Sequence, residues 1–193
     1  MAGTYLGTAA DVSRRRMKYA RVERERRYLL RGLPPGLRVN DPHTQIFDNY
    51  ITGTRLRLRK VRDPARREWA WKLTQKFAPD PPDFSRALIT NIYLSQYEYE
   101  TLSGFEGNEI RKNRYPYEHG GRAFSIDVFL GTLHGLVLAE IEFDTDEALR
   151  DFPAPDFAER EVTNDELFTG GRLVGLTIDD LRAELARREG AIS

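Results

Sequence analysis

The stretch Thr54-Arg55-Leu56-Arg57-Leu58-Arg59 decides how this chain is read. Successive side chains of a β-strand point to opposite faces. Arg55, Arg57 and Arg59 therefore share one face, and Leu56 and Leu58 the other. Outward from this stretch, the same two-residue period recurs. Glu23, Glu25 and Arg27 align in one segment, and Lys112 and Arg114 in another. Glu140 and Glu142 alternate with Ala139, Ile141 and Phe143. Asp127 opposes Ile126 and Val128, and Glu98 and Glu100 alternate with Tyr97 and Tyr99.

Eight segments carry this pattern and are predicted as strands: 21–31, 44–51, 54–62, 67–76, 89–100, 109–117, 122–130 and 134–144. They are rich in aromatic and β-branched residues. The breaks between them hold turn formers: Gly32 to Gly36 with two prolines, Asp41-Pro42, Gly53, Asp63-Pro64, Pro79 to Pro82, Gly104 with Gly107, and Gly120-Gly121. The last of these predicts a tight hairpin. Eight strands with short connections predict a meander closed into an antiparallel β-barrel, a mainly β fold. The C-terminal part changes character. Residues 145–150 read as a helical turn or two, 163–168 as a turn capped by Thr163, and 177–189 as a helix capped by Thr177. In that helix Asp179 and Asp180 open the first turn, Arg187 and Arg188 close the last, and Ile178, Leu181 and Leu185 form an apolar stripe. The expected organisation is an N-terminal arm (1–18), one barrel domain (19–176) and a C-terminal helix packed on it (177–193).

A solvated sheet face would explain any one charged row. Two features argue for a lumen instead. Charge sign is sorted by strand, whereas a solvated sheet mixes signs because like neighbours repel. The acids also recur in pairs at spacing two on separate strands, which lets carboxylates converge on a hard divalent cation. If both sets face the barrel axis, a polyphosphate with its metal ions neutralises them, and arginine forks suit phosphate oxygens. The apolar faces then point outward, to be covered by the C-terminal helices or by a partner subunit, so that a homodimer is an alternative cover.

Composition narrows the class. The 193 residues are 40% hydrophobic and 31% charged, enough for one soluble domain. Thirty basic residues balance thirty acidic ones, so there is no global field to favour nucleic acid. No cysteine is present, which excludes disulfides, thiolate metal sites and a cysteine nucleophile. No apolar run reaches the length of a membrane span, and no apolar signal core follows Arg14 to Arg16, so a cytoplasmic protein is expected. His43, His119 and His134 stand apart and read as loop or strand-end residues. Gly170-Gly171 reads as a turn, and Asp144 to Glu147 as an exposed helix start.

Glu23-Arg24-Glu25-Arg26-Arg27 resembles the Glu-x-Glu-x-Lys opening of the CYTH superfamily, the triphosphate tunnel metalloenzymes. Further resemblances follow in order. Leu56-Arg57-Leu58-Arg59, Trp71-Lys72-Leu73 and Tyr97-Glu98-Tyr99-Glu100 are similar to its arginine, lysine and acidic strands. Lys112-Asn113-Arg114-Tyr115, Ile126-Asp127-Val128-Phe129, Ala139-Glu140-Ile141-Glu142 and Glu161-Val162-Thr163 continue the series. The resemblance covers about residues 20–170. It implies an eight-stranded tunnel that binds a triphosphate with Mg2+ or Mn2+. It also implies metal ligation by Glu23, Glu25, Asp127, Glu140 and Glu142, with Glu98 and Glu100 as weaker acidic candidates. Phosphate would be held by Arg27, Arg55, Arg57, Arg59, Lys72, Lys112 and Arg114, and the catalytic candidates are Glu25, Glu142 and Lys72. The signature lysine is replaced by Arg27, which keeps the charge but does not readily release a proton.

These features together predict metal-dependent hydrolysis of a triphosphate, with inorganic triphosphate as first choice. One alternative is adenylate cyclase, or thiamine or nucleoside triphosphatase activity, with ATP or thiamine triphosphate as substrate and Trp69, Trp71 and Phe77 as candidate base-stacking residues. Another is a binding protein for polyphosphate or nucleotide in which Arg27 marks lost catalysis.

Overall fold

The computed structural model describes residues 19–79 and 82–190. The N-terminal arm with its arginine run, residues 80 and 81 of the Pro79 to Pro82 break, and residues 191–193 lie outside the described residues. Among the described residues eight strands build the barrel: β1 (Arg21–Leu30), β2 (Thr44–Ile51), β3 (Leu56–Asp63), β4 (Glu68–Phe77), β5 (Arg86–Leu94), β6 (Gly107–His119), β7 (Arg122–Phe129) and β8 (Val137–Phe143). All neighbours pair antiparallel, and a β5–β1 ladder closes the sheet into a barrel. Gly120 and Gly121 both adopt positive φ, +57° and +70°, and make the expected hairpin between β6 and β7.

Two expectations are corrected. The strand order is not a simple meander. β2 pairs with β6, and β1 lies between β8 and β5, so the runs β2–β5 and β6–β8 are joined through non-local ladders. The predicted fifth strand is also shorter than its alternation suggests. It ends at Leu94, and Gln96–Leu102 forms a helix, α1. Ser95 caps that helix by accepting from Glu98 N, and the Glu98 carboxylate accepts from Ser95 N at 2.7 Å. This reciprocal box satisfies two orphan amides, and so local capping overrides the period-two pattern.

Along β1, the edge toward β5 is completed piecewise. β5 pairs with Arg21 to Arg24, Glu25 N donates to Ser85 O, Val162 N donates to Arg27 O, and a two-residue strand β9 (Arg160–Glu161) pairs with Tyr28 and Leu29.

The hydrophobic core lies largely outside the barrel wall. Tyr28, Tyr115, Phe124, Ile126, Ala139, Ile141 and Phe143 pack with Leu149 of α2 (Asp146–Asp151) and with Phe152 and Phe157. A second cluster closes one end of the lumen. Ile110, Phe129 and Leu138 pack there on Leu167 and Phe168 of a 3₁₀ turn (Glu166–Phe168), on Leu173 of α3 (Gly170–Leu173) and on Leu181 of α4 (Ile178–Gly190). Thr177 caps α4 as expected, accepting from Asp180 N at 3.2 Å. Thr163 caps no helix. Asp165 caps the 3₁₀ turn, while the Thr163 hydroxyl accepts from Arg27 N at 3.0 Å. No helix among the described residues is long and apolar enough to cross a membrane.

Gly107, opposite Ile51 at the start of β6, sits so close to β2 that an added Cβ would lie 2.5 Å from Tyr50 O. Backbone at that distance cannot step aside, so Gly107→Ala should destabilise the fold by about 1–3 kcal/mol. Gly32→Ala, with open space around it, should stay within about 0.5 kcal/mol. Urea denaturation of the two variants side by side measures the contrast.

Candidate functional site

Cross-strand partners point to the same face, so register places the charged residues. Asp48 on β2, Arg59 on β3 and Lys72 on β4 form one row, and Tyr50, Arg57 and Thr74 form the next. Arg114 pairs with Asp127 across β6–β7. Arg27 and Glu25 pair with Glu140 and Glu142 across β1–β8. All of these side chains but Asp127 line a cavity of about 430 Å³ inside the barrel, bounded at one end by Phe168 and Leu173. The rows carrying Glu23, Glu25, Arg57, Arg59, Lys112, Arg114, Glu140 and Glu142 therefore face the barrel axis.

Buried charge is costly unless it is paired, and most of this lumen is paired. Asp48 is 1% exposed and accepts from Arg59 Nε at 2.5 Å and Nη2 at 2.6 Å. Burial alone would raise its pKa, but the guanidiniums of Arg57 and Arg59 outweigh it and hold the carboxyl well below the usual carboxylate range. Asp127, fully buried, accepts from Arg114 through both oxygens at 2.6 Å and also from Lys112. Glu140 accepts from Arg114, and despite burial Arg114, Lys112 and Arg27 keep its pKa well below the ordinary value. Lys76 donates to Glu23 at 2.5 Å and to Glu25 at 2.8 Å. Burial opposes ionisation of Glu23, but Lys76 wins and lowers its pKa.

Three sets of groups are left over. Lys72 has no carboxylate within salt-bridge distance among the described residues. Burial and the neighbouring Arg59 and Arg57 bring its pKa down to about 8. The Nε atoms of Arg57 and Arg27 are buried without a hydrogen-bond acceptor. On the acidic side, Glu142 has no cationic partner among the described residues. Burial and the nearby Glu23 and Glu25 raise its pKa. The lumen thus has both spare donors and a spare carboxylate.

The remaining candidates divide. Arg55, just before β3, lines the cavity with its guanidinium 4.7 Å from the Phe77 ring centroid. Glu98 and Glu100 are exposed on α1, outside the barrel, which corrects their reading as an acidic strand face. Glu98 serves as the capping residue, and Glu100 accepts from Gln96 at 2.8 Å. Among the described residues no group of three or more His, Asp or Glu converges as a preformed metal cage. The donor chemistry nevertheless fits a hard divalent cation: Glu25 and Glu142 are opposed in register, Glu23 lies close enough to perturb Glu142, and Glu142 has no salt-bridge partner among the described residues. Trp69, a candidate for base stacking, is 43% exposed. With Trp71 it borders a separate pocket against Lys60 and Tyr99 of α1, so both stand apart from the lumen.

Several site residues were not read from the sequence. Lys76 lies four positions beyond Lys72 and shares its strand face, so alternation could have found it. Asp48 is the lone acid on a face shared with Ile46 and Tyr50, and only its buried arginine partners mark it. Gly170 and Gly171 do not form a free turn. They open α3 and line the cavity, and a Cβ on Gly170 would lie 1.8 Å from the Tyr50 hydroxyl.

No protein-family model matches the chain. Over 95 residues it is 39% identical to an inorganic triphosphatase of Acetivibrio thermocellus, covering 44% of this chain and 59% of that protein. Over 79 residues it is 38% identical to an inorganic triphosphatase of Nitrosomonas europaea, covering 40% of this chain and 52% of that protein. The chain thus matches a little over half the length of these curated relatives. The crystal structure of the inorganic triphosphatase NE1496 superimposes with a TM-score of 0.52 at 26% identity, over 79% of this chain and 93% of that one. With its motifs in order and its barrel closed around the charged rows, the chain resembles the triphosphate tunnel metalloenzymes, and over these spans it is similar in sequence and fold to inorganic triphosphatases.

Proposed function

We propose that this chain hydrolyses inorganic triphosphate in the barrel lumen, with Mg2+ or Mn2+, in the cytoplasm. The observation that carries the reading is the Lys72 ammonium, set beside Arg57 and Arg59 with no carboxylate in salt-bridge distance among the described residues. Such a cluster demands an anion, and the names of the relatives supply its class.

In this reading Arg57, Arg59, Lys72, Lys112 and Arg114 hold the phosphates and stabilise charge that builds on the transferring group. Water attacks the terminal phosphorus, the bridging P–O bond breaks, and pyrophosphate leaves with the electron pair. Glu23, Glu25, Glu140 and Glu142 would hold the metal, with Glu25 opposite Glu142 across the β1–β8 ladder. When bound, the metal neutralises phosphate charge and polarises the phosphoryl oxygens. Glu142 lacks a cationic partner, and its raised pKa suits it to take a proton from the attacking water. Asp127 and Asp48, both spent on cations, serve to orient their basic partners.

A substrate panel tests the proposal. Tripolyphosphate should release phosphate with Mg2+ or Mn2+ and stop with EDTA. Lys72→Ala or Arg57→Ala should cost about 10² in kcat/KM. Release no higher than that of Glu142→Ala under any metal would end the reading. In the same panel, cyclic AMP with pyrophosphate from ATP would mark a cyclase, and faster turnover of thiamine triphosphate would move the substrate assignment.

The Lys72 pKa supplies a second test. In the free protein the ammonium is charged below about pH 8 and neutral above it. A bound polyanion favours the charged form and raises that pKa, so binding between the two values takes up a proton. At pH 8.5, calorimetric titration with tripolyphosphate in two buffers of different ionisation enthalpy should show more proton uptake by wild type than by Lys72→Arg. Equal uptake would mean that Lys72 does not meet the phosphates.

A further inference from the structure

Arg27 stands where the superfamily signature has lysine, and its surroundings differ from those of the other lumen cations. Its Nη2 donates to Glu25 at 2.5 Å, its Nε lies 3.4 Å from Glu140 Oε1, and its Nη1 donates to the backbone carbonyl of Phe168 at 2.9 Å. Phe168 belongs to the segment that closes the end of the lumen. The backbone of Arg27 is bound to that segment as well. Its N–H donates to Thr163 Oγ1 at 3.0 Å, and its carbonyl accepts from Val162 N at 2.8 Å. Burial works against its charge, but Glu25 and Glu140 raise its pKa, so the guanidinium is firmly ionised.

We propose that Arg27 is a positioning residue that latches the C-terminal end closure to the lumen carboxylates, rather than a ligand of the phosphates. This rests on the triphosphatase reading above. The register sets Glu25 and Glu140 on neighbouring strands, both facing the cavity, and without a cation between them they repel. The planar fork donates to Glu25 and to the Phe168 carbonyl while its Nε side stays in ion-pair distance of Glu140. A lysine ammonium, a compact point charge, cannot span three acceptors set in different directions. Arg27 thereby couples the placement of the acids to the seating of residues 162–168. The change from lysine to arginine exchanges a mobile charge for a structural tie.

The test compares Arg27→Lys and Arg27→Met with wild type in three measurements. Hydrogen exchange of the 164–174 amides should accelerate about tenfold or more in both variants, with protection in the β3–β4 hairpin unchanged. The kcat for tripolyphosphate should fall about tenfold or more, while its Kd, measured by calorimetry in EDTA, stays within about threefold. Unchanged exchange with a Kd weakened about tenfold would make Arg27 a phosphate ligand and overturn the proposal. Faster exchange with unchanged kcat would reduce it to a packing contact and overturn it equally. If Arg27→Met does not fold, Arg27→Lys carries the comparison. If wild type neither binds nor cleaves tripolyphosphate, the triphosphatase reading fails, and the exchange measurement alone still decides whether the latch exists.

Discussion

The cost of enclosing charge governs this structure. Formally charged side chains crowd the inside of a narrow barrel, where water cannot solvate them freely. The answer is a continuous chain of ion pairs. Lys76 meets Glu25, Glu25 meets Arg27, Arg27 meets Glu140, Glu140 meets Arg114, and Arg114 shares Asp127 with Lys112. Each group is held by neighbours on adjacent strands, so the ladder register also sets the electrostatics. Lys72 and Glu142 lie outside this chain of ion pairs, and in each the surroundings disfavour the charged form. Such groups have unmet demand and mark where a ligand would settle.

Filling the lumen with charge displaces the apolar core to two other places. One is the outer wall of β1, β6, β7 and β8, covered by α2 and the segment carrying Phe152 and Phe157. The other is the plugged end, where Phe168 and Leu173 meet inward-facing Ile110, Phe129 and Leu138. The C-terminal elements therefore do more than shield a surface. They form the floor of the cavity, and through the Phe168 carbonyl they reach its charged network.

Much of this was legible from the residues. Alternation located seven strands closely and shortened or extended their ends by a few positions. It also put Arg57, Arg59, Glu140 and Glu142 on the correct face. It failed at 95–100, where Tyr-Glu-Tyr-Glu alternates as a strand would, because the Ser95–Glu98 box is a local signal that does not depend on periodicity. Strand order was not legible, since pairing β1 with β5 and β8 depends on which edges remain open after the hairpins form. Asp48 was hidden by its apolar row. The Phe168 carbonyl was beyond reach altogether: it is a backbone group 141 positions from Arg27 and carries no side-chain signature.

The place of β1 has a consequence for how the chain acquires its shape during synthesis. β1 is made before every strand it pairs with, and its backbone amides wait for β5, β8 and finally β9. The Arg27 amide finds its acceptor 136 positions later, at Thr163. The hairpins of β2–β5 and β6–β8 need only short loops and can close as they emerge. The pairing of the first strand is completed only when nearly the whole described chain has left the ribosome. Non-local closure of this kind makes folding slow and leaves an open edge exposed meanwhile. Its charged alternating residues, Arg21 to Arg27, are the kind that keep such an edge from sticking to its neighbours.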